Sequence, residues 1–152
     1  MNFRIAKIRV NQISADEPES VTISCYRVDE DVRELVNYVK SRQGQITCKL
    51  DGEQYEVSIK DILYIESVDN RGFIYTAKET YETTVKLYEL EELLRPMRFL
   101  RISKAAIVNL MKIKSIKPSL NGRFSALLSN GEEIIISRKY VSDLRKTLKG
   151  EA

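Results

Sequence analysis

FLRISKAAIVNLMKIKSI, residues 99–116, carries two messages at once. Phe99, Leu100, Ile102, the run Ala105–Val108, Leu110, Ile113 and Ile116 read as the inside of a small folded domain. Its charges are Arg101, Lys104, Lys112 and Lys114, all of one sign. The bias extends well beyond the stretch. Residues 93–131 hold eight bases (Arg95, Arg98, Arg101, Lys104, Lys112, Lys114, Lys117 and Arg123) and no acid. Residues 1–92 hold 12 Lys/Arg against 18 Asp/Glu, a net of −6, whereas residues 93–152 hold 13 against 4, a net of +9. Opposite charge on the two halves points to a polyanionic partner, nucleic acid or membrane surface. The plainer reading of each base alone is a solvated charge.

The remaining totals narrow the class. A chain of 152 residues suits one domain, or one with a small appendage, and buries a core without metal or disulfide staples. No apolar run approaches the ~20 residues of a membrane-spanning helix, and no charged-then-apolar signal sequence opens the chain. Cys25 and Cys48 lie in no metal or redox spacing. Cys48 alternates with Ile46 and Leu50, as a small buried apolar side chain would. These features predict a reducing, cytoplasmic compartment.

Working outward toward the N-terminus, FRIAKIRV (3–10) and VTISCYRV (21–28) read as strands, separated by polar ISADEPES. A helix follows over about 29–42. Asp29 suits its cap, Glu30 and Asp31 its first turn, and Val32, Leu35, Val36 and Val39 recur at helical spacing. Gly44 ends it and marks the expected boundary between a ββα segment, 1–44, and a main domain, 45–152. Beyond Gly44, ITCKL and QYEVSI flank Asp51-Gly52, a strong hairpin signal. ILYIESV, FIYTA and YETTV continue the strand pattern around the DNRG turn (69–72) and a Lys78-Glu79-Thr80 turn. KLYELEELL forms a short helix stopped before Pro96. FSALLS and EEIIIS flank Asn130-Gly131, and a helix over roughly 138–149 closes the chain. The fold class is mainly β (α+β), antiparallel, with short helices.

Catalysis finds little purchase. The chain has no histidine, which removes His-based acid–base chemistry, His-activated nucleophiles and the commonest metal ligand. There is no Gly-rich phosphate loop or Gly-x-Ser-x-Gly elbow, and Glu91-Glu92 and Glu132-Glu133 read as surface charges. We expect no enzyme, no cofactor and no metal. Nucleic-acid binding fits better. Arg101 and Lys104 flank Ser103 at a junction between strand-like segments. Arg138 and Lys139 open the last helix behind Ser137, a plausible N-cap whose free N–H groups suit a phosphate. Arg71 lies in the DNRG turn.

In order and spacing, ILYIES, KLYELEELL, FLRISKAAIVNLMKIKSI, NGRF, LLSNGEEIIISRKYVSDLRKTL resembles the LytTR family of bacterial DNA-binding domains, from about residue 46 to 149. The resemblance implies an elongated antiparallel β core whose loops, rather than a recognition helix, enter the major groove of duplex DNA. It implies contacts from Asn70 and Arg71, from Arg101, Ser103 and Lys104, and from Arg138 and Lys139. Base reading would fall to Arg138, Lys104 and Arg71, and phosphate gripping to Arg101 and Lys139. It further implies a stand-alone transcription regulator, homodimeric on repeated half-sites, with residues 1–44 free for dimerisation or a partner and a membrane-protein regulator as a possible associate. The sequence departs from the family after Phe-x-Arg-x. Members usually carry His, a base, Ser and an aromatic there, whereas this chain reads Ser103, Lys104, Ala105 and Ala106. That departure keeps a protein-interaction module of the same fold as an alternative, beside an RNA-binding one that would need exposed aromatics.

Overall fold

A computed structural model describes residues 7–150. Helix α1 (Glu30–Arg42) leads into hairpin β1 (Gln45–Leu50) and β2 (Glu53–Ser58), then β3 (Ile62–Val68), β4 (Arg71–Thr76) and β5 (Thr80–Thr83). Helix α2 (Leu87–Leu94) is followed by β6 (Phe99–Ser103), β7 (Ala106–Asn109), β8 (Ile113–Pro118), β9 (Phe124–Leu128), β10 (Glu133–Ile136) and helix α3 (Val141–Leu148). All strand pairings are antiparallel. One sheet has the order β2-β1-β5-β4-β3-β7-β6, and a smaller one the order β10-β9-β8.

The stretch 99–116 explains the layering. It spans β6, β7 and the start of β8, passing from the large sheet to the small one. Every residue of β7 is buried, so its run is continuously apolar up to Asn109 rather than alternating. Ile107 faces Leu90 and Leu94 of α2 together with Ile46, Ile65 and Ile74. Ala106 and Val108 face the opposite way, into Ala126, Leu128 and Ile136 of the small sheet and Val141 and Leu144 of α3. The β3–β7–β6 end of the large sheet is thus covered on both faces, and each fully buried Ile or Val of β7 contributes about 1.5–3 kcal/mol relative to exposure. Asn109 is buried because both ends of its amide are used: Nδ2 donates to Ile62 O at 2.9 Å, and Oδ1 accepts from Met111 N at 3.0 Å. It stabilises a turn and does not face a ligand.

Local chemistry sets the element ends. The Asp29 carboxylate accepts from Val32 N at 3.2 Å and caps α1, and Gly44 turns out of the helix at φ +82°. Asp51 and Gly52 both take positive φ in the β1–β2 hairpin (51° and 81°), as a two-residue turn of this hand requires. Helix α1 lies on β1, where Lys40 Nζ donates to Thr47 Oγ1 and to Glu56 Oε1, both at 2.8 Å.

Two expectations need correction. Residues 7–28 contain no strand: KIRV and VTISCYRV run as irregular chain, and residues 3–6 lie outside the described part. Ile8, Val10, Val21, Tyr26 and Val28 are exposed. Alternation alone does not make a strand. A strand needs a ladder and a surface to bury one face against, and no described backbone hydrogen bond joins this segment to either sheet. Ser137, in turn, does not cap a helix with its side chain. Arg138–Tyr140 form a 3-10 turn, and α3 starts only at Val141.

Candidate nucleic-acid interface

Three turns carry the residues singled out from sequence. The first is Asp69-Asn70 between β3 and β4, both left-handed (φ 51° and 62°). The second is Lys104-Ala105 between β6 and β7. The third is the 3-10 turn after Ser137. Two backbone hydrogen bonds tie them together: Ser67 N donates to Ala105 O at 2.7 Å, and Ser137 N donates to Ile102 O at 2.8 Å. The first joins the β6–β7 turn to the end of β3, two residues before Asp69. The second lays the Arg138 turn on the open edge of β6. Segments separated by more than 30 residues in sequence thereby form one end of the molecule.

Within that end the cations differ in what they are free to do. Arg101 is committed. Its Nε donates to Ser103 O at 2.8 Å, one Nη to Glu91 Oε1 at 2.8 Å, and the other Nη to Lys104 O. The guanidinium spans the β6 irregularity between Arg101 and Ser103, so it shapes the turn and is only 19% exposed. Its Nε and both Nη groups donate within the chain, so the phosphate-gripping role expected of it would compete with these contacts. Ser103 is also a turn builder, its Oγ accepting from Ala105 N at 3.1 Å. Arg71 is exposed but ion-paired with Glu82 of β5, which raises its pKa, and it lies 5.5 Å over the Phe73 ring. Asn70 sits exposed on its turn.

Lys104, Arg138 and Lys139 are exposed, and none has a side-chain hydrogen bond or ion pair with a described residue. Lys139 Nζ lies 5.9 Å over the ring of Tyr140, which is half-buried against the core. Arg138 lays its stem on Gly122, in the β8–β9 turn. Sequence reading passed over Gly122, although Asn121-Gly122 beside Arg123 was a visible turn signal. It also read Glu91 as a plain surface charge, where the structure has it holding both Arg101 and Arg95. Of the outlying bases, Lys117 pairs with Glu133 at 3.6 Å, so it adds little free charge.

Cys48 is buried and its thiol is pushed up to about 12, first by burial and then by Glu56, so it stays protonated. Burial, then Glu132, pushes up the Tyr64 phenol, which donates to Glu132 Oε2 at 3.0 Å and stacks on Tyr75 at 4.4 Å. Glu30, Glu34 and Glu89 bring three carboxylates together where α1 meets α2, and burial, then Glu34 and Glu30, raises Glu89. These are acids on two neighbouring helices, without nitrogen or sulfur donors.

Known proteins share this fold. A family model described as the LytTr DNA-binding domain matches residues 52–149. A solved LytTr DNA-binding domain from Bacillus cereus is 30% identical, with a TM-score of 0.66, covering 69% of this chain and 96% of that one. The sensory transduction protein LytT of Bacillus anthracis is 29% identical over 136 residues, 78% of this chain, and this chain spans 55% of that relative's length. A Staphylococcus aureus (strain NCTC 8325 / PS 47) protein described as an HTH-type transcriptional regulator is 26% identical over 90% of this chain and 94% of its own. No described helix is long and apolar enough to cross a membrane. The chain belongs to the LytTR family of DNA-binding domains.

Proposed function

We propose that this protein regulates transcription by binding specific duplex DNA sites, with the three joined turns set into the major groove. The observation that carries this is the pair of backbone hydrogen bonds, Ser67 to Ala105 and Ser137 to Ile102, which gather Lys104, Arg138 and Lys139 at one end with their charges unspent. Arg138 forks to a guanine edge and Lys104 reads a neighbouring base, while Lys139 grips phosphate. Arg101 supports by fixing the turn that presents Lys104. Asn70 and Arg71 flank the groove, and Arg71 exchanges Glu82 for a DNA acceptor on binding. Each phosphate-neutralising cation, Lys139 first, adds about −0.9 to the salt slope. Two copies, meeting through residues 1–44, occupy half-sites repeated about one helical turn apart.

No aromatic of the basic half, residues 93–152, is free to stack on RNA bases, and the exposed Tyr38, Tyr55 and Tyr88 lie in the acidic half. Phe99 is buried, and Phe124 and Tyr140 are half-buried under Arg145 and Lys139. The test is selection from a randomised duplex pool at two salt concentrations, followed by variants on the recovered site. Arg138→Ala costs about 1–3 kcal/mol on that site and relaxes preference at one base pair. Lys139→Ala weakens all duplexes alike and flattens the salt slope by about one unit. Equal losses on selected and random DNA for Arg138→Ala would remove its reading role, and failure to recover any motif would remove sequence specificity altogether.

A further inference from the structure

We infer that Gly122 is a specificity-determining position, acting as the seat on which Arg138 is held ready to read its base. This rests on the DNA-reading role proposed for Arg138. Gly122 lies in the turn joining β8 to β9, closed by Ser119 N to Arg123 O at 2.8 Å and Arg123 N to Leu120 O at 3.2 Å. It has a φ of +75°, beside Asn121 at 59°. A Cβ built on Gly122 would stand 2.8 Å from Arg138 Cδ, 3.1 Å from its Cγ and 3.9 Å from its Cβ. The arginine stem therefore runs across the bare Cα, and the space that a methyl group would fill is occupied by its methylenes.

The consequence is one of pre-organisation. An exposed arginine samples many rotamers and gives most of them up on binding. A stem already laid along a surface has fewer to lose, and its guanidinium projects in a narrower range of directions. The contact also links a fourth turn to the other three. A side chain at 122 would push aside the flexible end of Arg138 rather than backbone, so the fold would tolerate it while the arginine lost its seat. Gly131 supplies the control within the same chain. It too is left-handed, at φ +92°, but a Cβ there meets nothing within 4 Å. Gly131→Ala therefore imposes comparable backbone strain without touching Arg138.

The experiment is a double-mutant cycle read by equilibrium binding to the duplex recovered from the randomised pool and to a scrambled duplex, with melting curves to confirm folding. Gly122→Ala loses about tenfold on the recovered duplex and little on the scrambled one. Gly131→Ala keeps the preference, and Gly122→Ala added to Arg138→Ala loses nothing further. Gly122→Asn, which accepts the left-handed backbone more readily while carrying the same Cβ, reproduces the loss should Gly122→Ala fold poorly. Losses that multiply between Gly122→Ala and Arg138→Ala, an equal loss from Gly131→Ala, or full preference in Gly122→Asn would each overturn the seat. If Arg138→Ala itself leaves the preference intact, the reading role falls and the seat with it. If Arg138→Ala abolishes preference while Gly122→Ala and Gly122→Asn do not, the reading role stands and the seat alone falls.

Discussion

Residues 99–116 and residues 21–28 look alike on paper and behave as opposites. Both are rich in β-branched and apolar residues, and both invite a strand reading. In the first, β7 lies between β3 and β6, with α2 below and the small sheet above, and Ile107 and Val108 are fully buried. In the second, Val21 and Tyr26 lie in solvent and no described backbone hydrogen bond joins the segment to a strand. The difference teaches that the pattern supplies only a willingness to pair. Partners on both sides decide whether a strand forms, and they are set by parts of the chain far away in sequence.

The sharpest way to break the comparison is to remove the same kind of bulk from each region. Ile107→Ala leaves a cavity between α2 and the large sheet and costs about 2–5 kcal/mol, enough to unfold a marginal domain. Val21→Ala removes a side chain 66% exposed and changes stability by less than about 0.5 kcal/mol. Denaturant melts of the two variants read this directly. A Val21→Ala loss approaching that of Ile107→Ala would mean that residues 21–28 are packed in solution, against this chain or a second copy.

The same contrast says how much was legible in the sequence. The hairpins at Asp51-Gly52 and Asn130-Gly131 and the capped helix α1 are local devices, each fixed by residues within a few positions of one another, and all three are where their residues say. What was illegible depends on distance along the chain. Arg101 read as a free phosphate grip because Glu91, ten residues earlier on α2, is not visibly its partner until the helix is laid beside β6. Gly122 and Arg138 are 16 residues apart and meet at the open end of the β9–β10 hairpin, two residues beyond the Phe124–Ile136 pair, a register that the turn signal alone did not fix. Of the three interface turns, DNRG was legible as a turn and Lys104-Ala105 as a junction between strand-like segments, whereas Arg138 and Lys139 read as the start of the last helix. Their gathering at one end is a property of the sheet order, which local pattern did not reveal.

A smaller effect tests where the packed body begins. Asp29→Ala removes the carboxylate that accepts from Val32 N and costs about 0.5–2 kcal/mol if α1 is held as part of the fold. Val32 is buried and the helix packs on β1, so unravelling of its first turn is felt throughout the cooperative unit. A cost near zero in the melt, with loss of helical circular dichroism alone, would place α1 with the unpaired segment instead.

The smallest effect is one of acid, and it separates the two regions by the reach of their contacts. Burial pushes the Glu56 carboxyl up, but the hydrogen bonds from Lys40 and Thr47 and the Lys40 charge outweigh it and hold it below the ordinary glutamate range. Asp16 is also lowered, mainly by the Ser14 hydroxyl, and it is fully exposed. A carboxylate whose folded pKa lies below its unfolded value adds stability above the unfolded value, about 4.3 for glutamate, and loses it as pH falls through the folded one. That argument requires the contact to exist only in the folded chain. Lys40 and Glu56 are 16 residues apart and meet only when α1 lies on the sheet, so Glu56 contributes a step in stability below about pH 4.3, within the tenths of a kcal/mol usual for surface pairs. Ser14 and Asp16 are two residues apart and meet in the unfolded chain as readily as in the folded one, so Asp16 contributes none. Melting Glu56→Gln and Asp16→Asn at pH 7 and pH 3 distinguishes them. The Glu56→Gln deficit is smaller at pH 3 than at pH 7, while Asp16→Asn matches the parent at both. A pH-dependent deficit for Asp16→Asn would mean that the 7–28 segment is ordered against something in the folded protein, and the contrast between the two regions would fail at its weakest contact.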